Sequence, residues 1–173
     1  TSDYQTLMGV QQQKSHKNKP QPPRLLFVVN EAYFFMSHRL ALAKAAQCSG
    51  FEVHVAAPED HVWAPDGFST NEIVQAGFTF HNIPLSRRGK NPFQDIVSLI
   101  ALVKLFFGLR PDLLHLLTIK PVVYGGIAAR LAGLKSVVCT VTGLGQVFVA
   151  TGPVSTLLRQ AVILLYRLAT KHK

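Results

Sequence analysis

Apolar residues fall in short clusters divided by polar and turn residues, and their period changes from cluster to cluster. Leu25-Leu26-Phe27-Val28-Val29 is continuous and β-prone, as a strand covered on both faces requires. From His38 to Ser49 the apolar positions take helical spacing (Leu40, Ala43 and Ala46 beside Leu42 and Ala45), and Gly50 is a stop. Glu52 to Ala57 reads as a second strand closed by Pro58, and Asn71 to Ala76 as a short helix capped by Thr70 or Asn71. Phe78 to Ile83 is a third strand, Phe93 to Gly108 a very apolar helix, and Leu113 to Leu117 a fourth strand. Pro121 to Leu131 is a helix of small residues, Ser136 to Val141 a fifth strand, and Pro153 to Thr170 a last helix with Pro153 near its first turn.

Strand and helix thus alternate five times. That alternation predicts right-handed crossovers and an α/β fold: a Rossmann-like, doubly wound parallel sheet of about five strands with helices on both faces. Residues 1–23 are rich in Gln, Lys, Asn and Pro and are expected to form a solvated tail, so the folded domain is placed at residues 24–173. In such sheets ligands bind beyond the carboxyl ends of the strands. The rule selects Asn30–Ser37, Leu85–Lys90, Thr118–Lys120 and Thr142–Gln146 before any motif is considered.

Composition narrows the chemistry. The 173 residues carry 18 Lys and Arg against 9 Asp and Glu, a net charge of +9, which favours phosphates or an anionic surface. Asp112 is the last carboxylate of the chain, so acidic catalysis cannot draw on anything beyond it. Cys48 and Cys139 stand far apart in apolar surroundings, which suits neither a disulfide framework nor a zinc site. No uncharged apolar run reaches the length of a membrane span, and the polar start lacks a signal peptide's apolar region. No aromatic–basic stacking motif or recognition helix points to nucleic acid. The strand-to-helix turns lack G-x-G-x-x-G and P-loop patterns, so no nicotinamide or flavin is expected, and the reading names no metal or other cofactor.

The selected turns carry the candidate site. Asn30 to Ser37 is expected to be a long aromatic loop containing Phe34, with His38 and Arg39 at the start of the first helix. There His38 is placed for hydrogen bonding or proton transfer, against the plainer reading of Ser37 as a cap and His38 as a surface residue. Arg87, Arg88 and Lys90 follow the third strand, ahead of the apolar helix; the loop is either a solvated face or, with that helix, an anionic-membrane contact. Thr118 and Lys120 end the fourth strand. Lys120 opposes the dipole of the helix that follows, a conflict a bound phosphate would relieve. Thr142, Gly143 and Gly145 either let backbone approach a ligand or simply make a tight turn. His115, inside the fourth strand, reads first as a hydrogen-bonded core histidine.

Taken in order, Asn30-x-x-x-Phe34-Phe35-x-Ser37-His38-Arg39, Pro84-Leu85-Ser86-Arg87-x-Gly89-x-Asn91-Pro92, Asp112-x-x-His115-x-x-Thr118-x-Lys120-Pro121-x-x-Tyr124-Gly125, Ala128-Ala129-Arg130 and Thr142-Gly143-Leu144-Gly145-x-x-Phe148 resemble the N-terminal half of a bacterial GT-B glycosyltransferase of family 4. The closest likeness is to enzymes extending undecaprenyl-diphosphate-linked sugars in polysaccharide, lipopolysaccharide, capsule or glycoprotein assembly. The resemblance implies an acceptor-binding domain, cytoplasmic and peripheral on the inner face of the cell membrane. A second domain carrying Glu-x7-Glu would bind the UDP-sugar donor, and transfer would retain the anomeric configuration. Glu52 and Glu59 are seven apart and do not make that motif, so the chain reads as half of an enzyme, inactive as a transferase by itself. Some relatives carry a histidine two residues past the equivalent of His115; here that position is Leu117, and His38 stands as the substitute catalytic candidate. The acceptor-binding set is Asn30, Phe34, Ser37, Arg39, Arg87, Arg88, Thr118 and Lys120. Two alternatives stay open: a non-catalytic membrane-peripheral module on this fold, and a nucleotide-sugar epimerase-like GT-B enzyme.

Overall fold

Runs rich in Leu, Val and Phe must be covered on both faces, and the chain meets that demand by placing its five described strands in a single sheet. In a computed structural model, which describes residues 21–59, 64–85 and 92–140, the strands are β1 (Arg24–Val28), β2 (Glu52–Ala57), β3 (Thr79–Asn82), β4 (Leu113–Leu117) and β5 (Val137–Thr140). All pairings are parallel and the order is β3-β2-β1-β4-β5. The parallel, five-stranded, Rossmann-like sheet read from the sequence is the one found. Sequence order reverses between β1 and β4, which makes that gap the switch point where a ligand crevice opens.

The helices are α1 (Ala32–Cys48), α2 (Asn71–Gln75), α3 (Pro92–Leu109) and α4 (Gly126–Leu131), the last preceded by a π-helical turn, Pro121–Gly125. Leu25, Phe27 and Val29 point to one face, where Phe35 and Ala43 of α1 and Ile73 of α2 cover them. Leu26 and Val28 point to the other, under Leu102 and Phe106 of α3 and Ala128 and Ala129 of α4. Gly125 is required by close packing: a Cβ there would stand 2.6 Å from Cδ2 of Leu116. The cap expected of Thr70 or Asn71 is not made by either side chain; the Glu72 carboxylate accepts from the Ser69 N–H at 3.3 Å instead.

One boundary differs from expectation in a way that matters for the site. Ala32 to Ser37 is not loop: α1 begins at Ala32, six residues before His38. Ala32 and Phe35 are buried against the sheet, and with Met36, Leu40 and Ala43 they continue the apolar stripe back toward β1. The adjacent aromatics at Tyr33, Phe34 and Phe35 blur that stripe in the sequence, because only Phe35 turns inward. Ser37 is accordingly no cap. Its Oγ donates back to the Tyr33 carbonyl at 3.0 Å, as serines inside helices do.

Candidate functional site

Because every strand runs the same way, the turns at their carboxyl ends share one rim. Asn30 and Glu31 follow β1 at this rim, and Thr118 follows β4 across the switch point. The gap between them, where the switch-point rule puts a ligand crevice, is flanked by α1, which leaves the rim after Glu31. Tyr33, Lys44 and Gln47 mark the flank of α1 that faces α2: Tyr33 packs edge-on against Phe68 at 5.4 Å, Lys44 donates to the Ala76 carbonyl, and Gln47 donates to the Gly77 carbonyl. At 100° per residue Phe34 and His38 fall on the opposite flank, toward β4. They form one ledge there, their rings stacked at 4.2 Å and 13°. Ser37 Oγ lies 2.6 Å from His38 Nδ1, an orienting contact that leaves Nε2 for a ligand.

Arg39 is partly buried on the same stretch of helix, with Nη1 donating to the His38 carbonyl at 3.4 Å. Across from it, His115 of β4 lies 5.2 Å from the Phe27 ring, and its Nε2 is 2.8 Å from Thr140 Oγ1 of β5. Burial, aided by the nearby Arg39 charge, pushes the His115 pKa down and so favours the neutral imidazole. Thr118 lies in the turn that follows β4. Its φ of +73° is a strained conformation for a β-branched residue, and its Oγ1 is buried with no hydrogen-bond partner. Strain of this kind gathers where a backbone has been shaped for a ligand.

Lys120 departs from the sequence reading. No phosphate is needed to reconcile it with the helix dipole, because its Nζ lies 3.1 Å from Oδ1 of Asp95 in the first turn of α3. Tyr124 bonds the same carboxylate; burial and that contact push its pKa up to about 12. The group ties the start of α3 to the rim turn after β4. Arg87, Arg88, Lys90, Thr142, Gly143, Gly145, the helix expected at Pro153–Thr170 and the tail at residues 1–20 lie outside the described residues.

Three participants were not singled out from the sequence. Glu31, 2% exposed, occupies the N-cap position of α1. Thr140 reaches His115 only because β5 pairs with β4. Asp95 had a signal, since a lysine opposing a helix dipole calls for a carboxylate nearby. A second cluster lies off the rim, where His54 Nδ1 and His81 Nε2 are 3.0 Å apart and Glu52 joins His54 and Arg24. Among the described residues no group of His, Cys, Asp and Glu could hold a metal ion, and no helix is long and apolar enough to cross a membrane.

On this geometry the comparisons with known proteins can be placed. MurG of Acinetobacter baumannii shares the fold at a TM-score of 0.53 and 18% identity, over 82% of this chain and 39% of MurG. A UDP-N-acetylglucosamine 2-epimerase aligns at 0.57 and 14% identity, over 86% of this chain and 39% of its own. The glycosyltransferase VinC, solved with DTDP, aligns at 0.50 and 18%, over 87% and 39%. The chain therefore spans about two fifths of the length of each. No curated protein sequence matches it. Residues 24–172 match the profile described as glycosyl transferase 4-like, and the chain, with its Rossmann-like sheet, belongs to that family.

Proposed function

We propose that this chain is the acceptor-binding half of a retaining glycosyltransferase that moves a hexosyl or N-acetylhexosaminyl group from a UDP-sugar to an undecaprenyl-diphosphate-linked glycan. Its place is the inner face of the cell membrane, and a donor-binding domain beyond this chain completes the enzyme. The observation that carries the lipid-linked acceptor is the outer face of α3. Phe93, Ile96, Val97, Ile100 and Phe107 are exposed there, Phe93 by 77%, while Leu102 and Phe106 are buried on the inner side. The helix is thus both packed on the sheet and apolar outward. Its first turn lies at the rim, and the basic segment with Arg87, Arg88 and Lys90 precedes it in the sequence. An apolar ridge inserts into a lipid interface, and each basic residue near an anionic surface adds about 1 kcal/mol.

In this reading the acceptor enters the α1–β4 crevice from the membrane side. The Phe34–His38 ledge offers a flat surface to a sugar ring. Asn30, Ser37 and Thr118 supply hydrogen bonds, and His38 takes or gives the proton of the acceptor hydroxyl. Positioning the acceptor and stabilising the leaving diphosphate are the physical demands of the step. The test is transfer of labelled sugar from UDP-sugar to undecaprenyl-diphosphate-linked acceptor in vesicles by the full-length enzyme containing this chain. Product is expected, with His38→Ala lowering kcat and Phe34→Ala raising the acceptor KM. Transfer to water-soluble acceptors alone, or conversion of the UDP-sugar to an epimer, would overturn the proposal.

A further inference from the structure

Among the described residues two cations flank the β1–β4 gap, Lys120 after the end of β4 and Arg39 two turns into α1 and within reach of His115, and the fold treats them differently. Lys120 is held by Asp95. Arg39 has no carboxylate against it among the described residues, and its Nε is shielded from solvent without a hydrogen-bond partner. An arginine that merely snorkels keeps its guanidinium in water and buries only its stem. Here a donor of the charged group itself is taken out of water with nothing to receive it, an arrangement that opposes folding. Leu40 and Ala43 on the same helix pack normally against the sheet, so the arrangement is local to Arg39. The Thr118 hydroxyl, in the turn that follows β4, is also buried and unpartnered, on a strained backbone.

We infer that Arg39, and not Lys120, is the anion receptor of the crevice, and that it takes the acceptor's diphosphate with the Thr118 hydroxyl as a second donor. A guanidinium presents a planar fork that matches two phosphate oxygens, and a threonine hydroxyl donates to a third. Asp95 holds Lys120 in its ion pair and leaves the anion to Arg39. The inference rests on the glycosyltransferase reading only for the source of the diphosphate. The buried Arg39 Nε calls for an acceptor whichever molecule brings it, and the Thr118 hydroxyl can give a second bond.

The experiment is calorimetric titration of the 173-residue chain with inorganic pyrophosphate, repeated in competition with UDP and with a short-prenyl diphosphate sugar. Wild type and Lys120→Met are expected to bind pyrophosphate alike. Arg39→Gln should bind about ten- to a hundredfold more weakly, with Arg39→Lys in between and Thr118→Val affected less than Arg39→Gln. Without ligand, the melting temperature of Arg39→Gln should be unchanged or higher, since an unmatched charge has been removed; a drop of several degrees would mean a structural role and sink the inference. Adding pyrophosphate to wild type should raise the His115 pKa read by NMR, because an anion beside Arg39 offsets the charge that helps depress it. Equal binding by Arg39→Gln and wild type, loss in Lys120→Met alone, or no binding by wild type each overturns it. Competition by the prenyl diphosphate sugar supports inference and reading together. Competition by UDP alone, through Arg39, keeps the receptor and overturns the lipid-linked acceptor.

Discussion

Among the described residues the two long helices, α1 and α3, lie on opposite faces of the same sheet and solve the burial problem differently. α1 buries Ala32, Phe35 and Ala43 and turns Ser37, His38 and Lys44 outward, so its solvent side needs no cover. α3 buries Leu102 and Phe106 and still turns Phe93, Ile96, Val97 and Ile100 outward. A helix that needed only to pack the sheet would not keep that second stripe, since contiguous exposed apolar surface marks contact with a protein surface or a membrane. The helix that flanks the β1–β4 gap is amphipathic once, and the helix we propose for the membrane is apolar twice. Each mutation below presses on one side of that contrast.

The largest effect separates the two faces of α3. Phe106→Ala should destabilise the fold by about 3–5 kcal/mol in urea denaturation, as loss of a buried aromatic does. Phe93→Ser should move stability by no more than about 0.5 kcal/mol. Flotation with anionic vesicles should respond in reverse: Phe93→Ser combined with Ile96→Ser abolishes binding in a protein of wild-type stability. A ridge that tolerates both changes without loss of vesicle binding would remove the contrast between the helices.

Gly125→Ala comes next. Its methyl group would press on Leu116 under the π-helical turn, and overpacking of this kind costs about 1–3 kcal/mol. Loss of less than that in thermal melts would show that the turn after β4 yields, and that the strain at Thr118 is not locked in place.

Acid should weaken the fold. Burial pushes the pKa values of His54, His81 and His115 below their usual 6.5. The unfolded chain therefore binds protons that the folded chain refuses once pH falls below 6.5, and stability falls from there toward the depressed values. Replacing His54 and His81 by Gln should flatten this acid limb in pH-dependent urea melts, and an unchanged limb would place its origin elsewhere. The smallest effect lies at the alkaline end. Tyr124 is held up to about 12 from an ordinary value of 10, so its share of stability declines between those limits as the unfolded chain ionises first. Asp95→Asn should bring the Tyr124 pKa back toward 10 in an ultraviolet titration and free Lys120 from its ion pair.

How much of this could be read from the chain depends on the range of the interactions involved. The continuous run Leu25–Val29 and the alternation of strands with helices were enough for the parallel sheet, because burial on both faces and the handed crossover leave few other arrangements. The start of α1 was not, because Phe34 and Phe35 are equally apolar and only packing against Phe27 and Phe78 tells which one turns inward. Lys120 looked like a free cation, since Asp95 stands 25 residues away in another element. Arg39 looked no different from any helical arginine until its Nε was found buried.

By itself, then, the sequence determined the order of elements, the rim to which the turns belong and the family motifs, since these follow from local period and short-range sterics. The tertiary structure decided which cation is already matched, which hydroxyl is strained and unpartnered, and which side of α3 stays bare. Those are properties of pairs and surfaces, and they exist only once β1 and β4 lie side by side with helices packed across them.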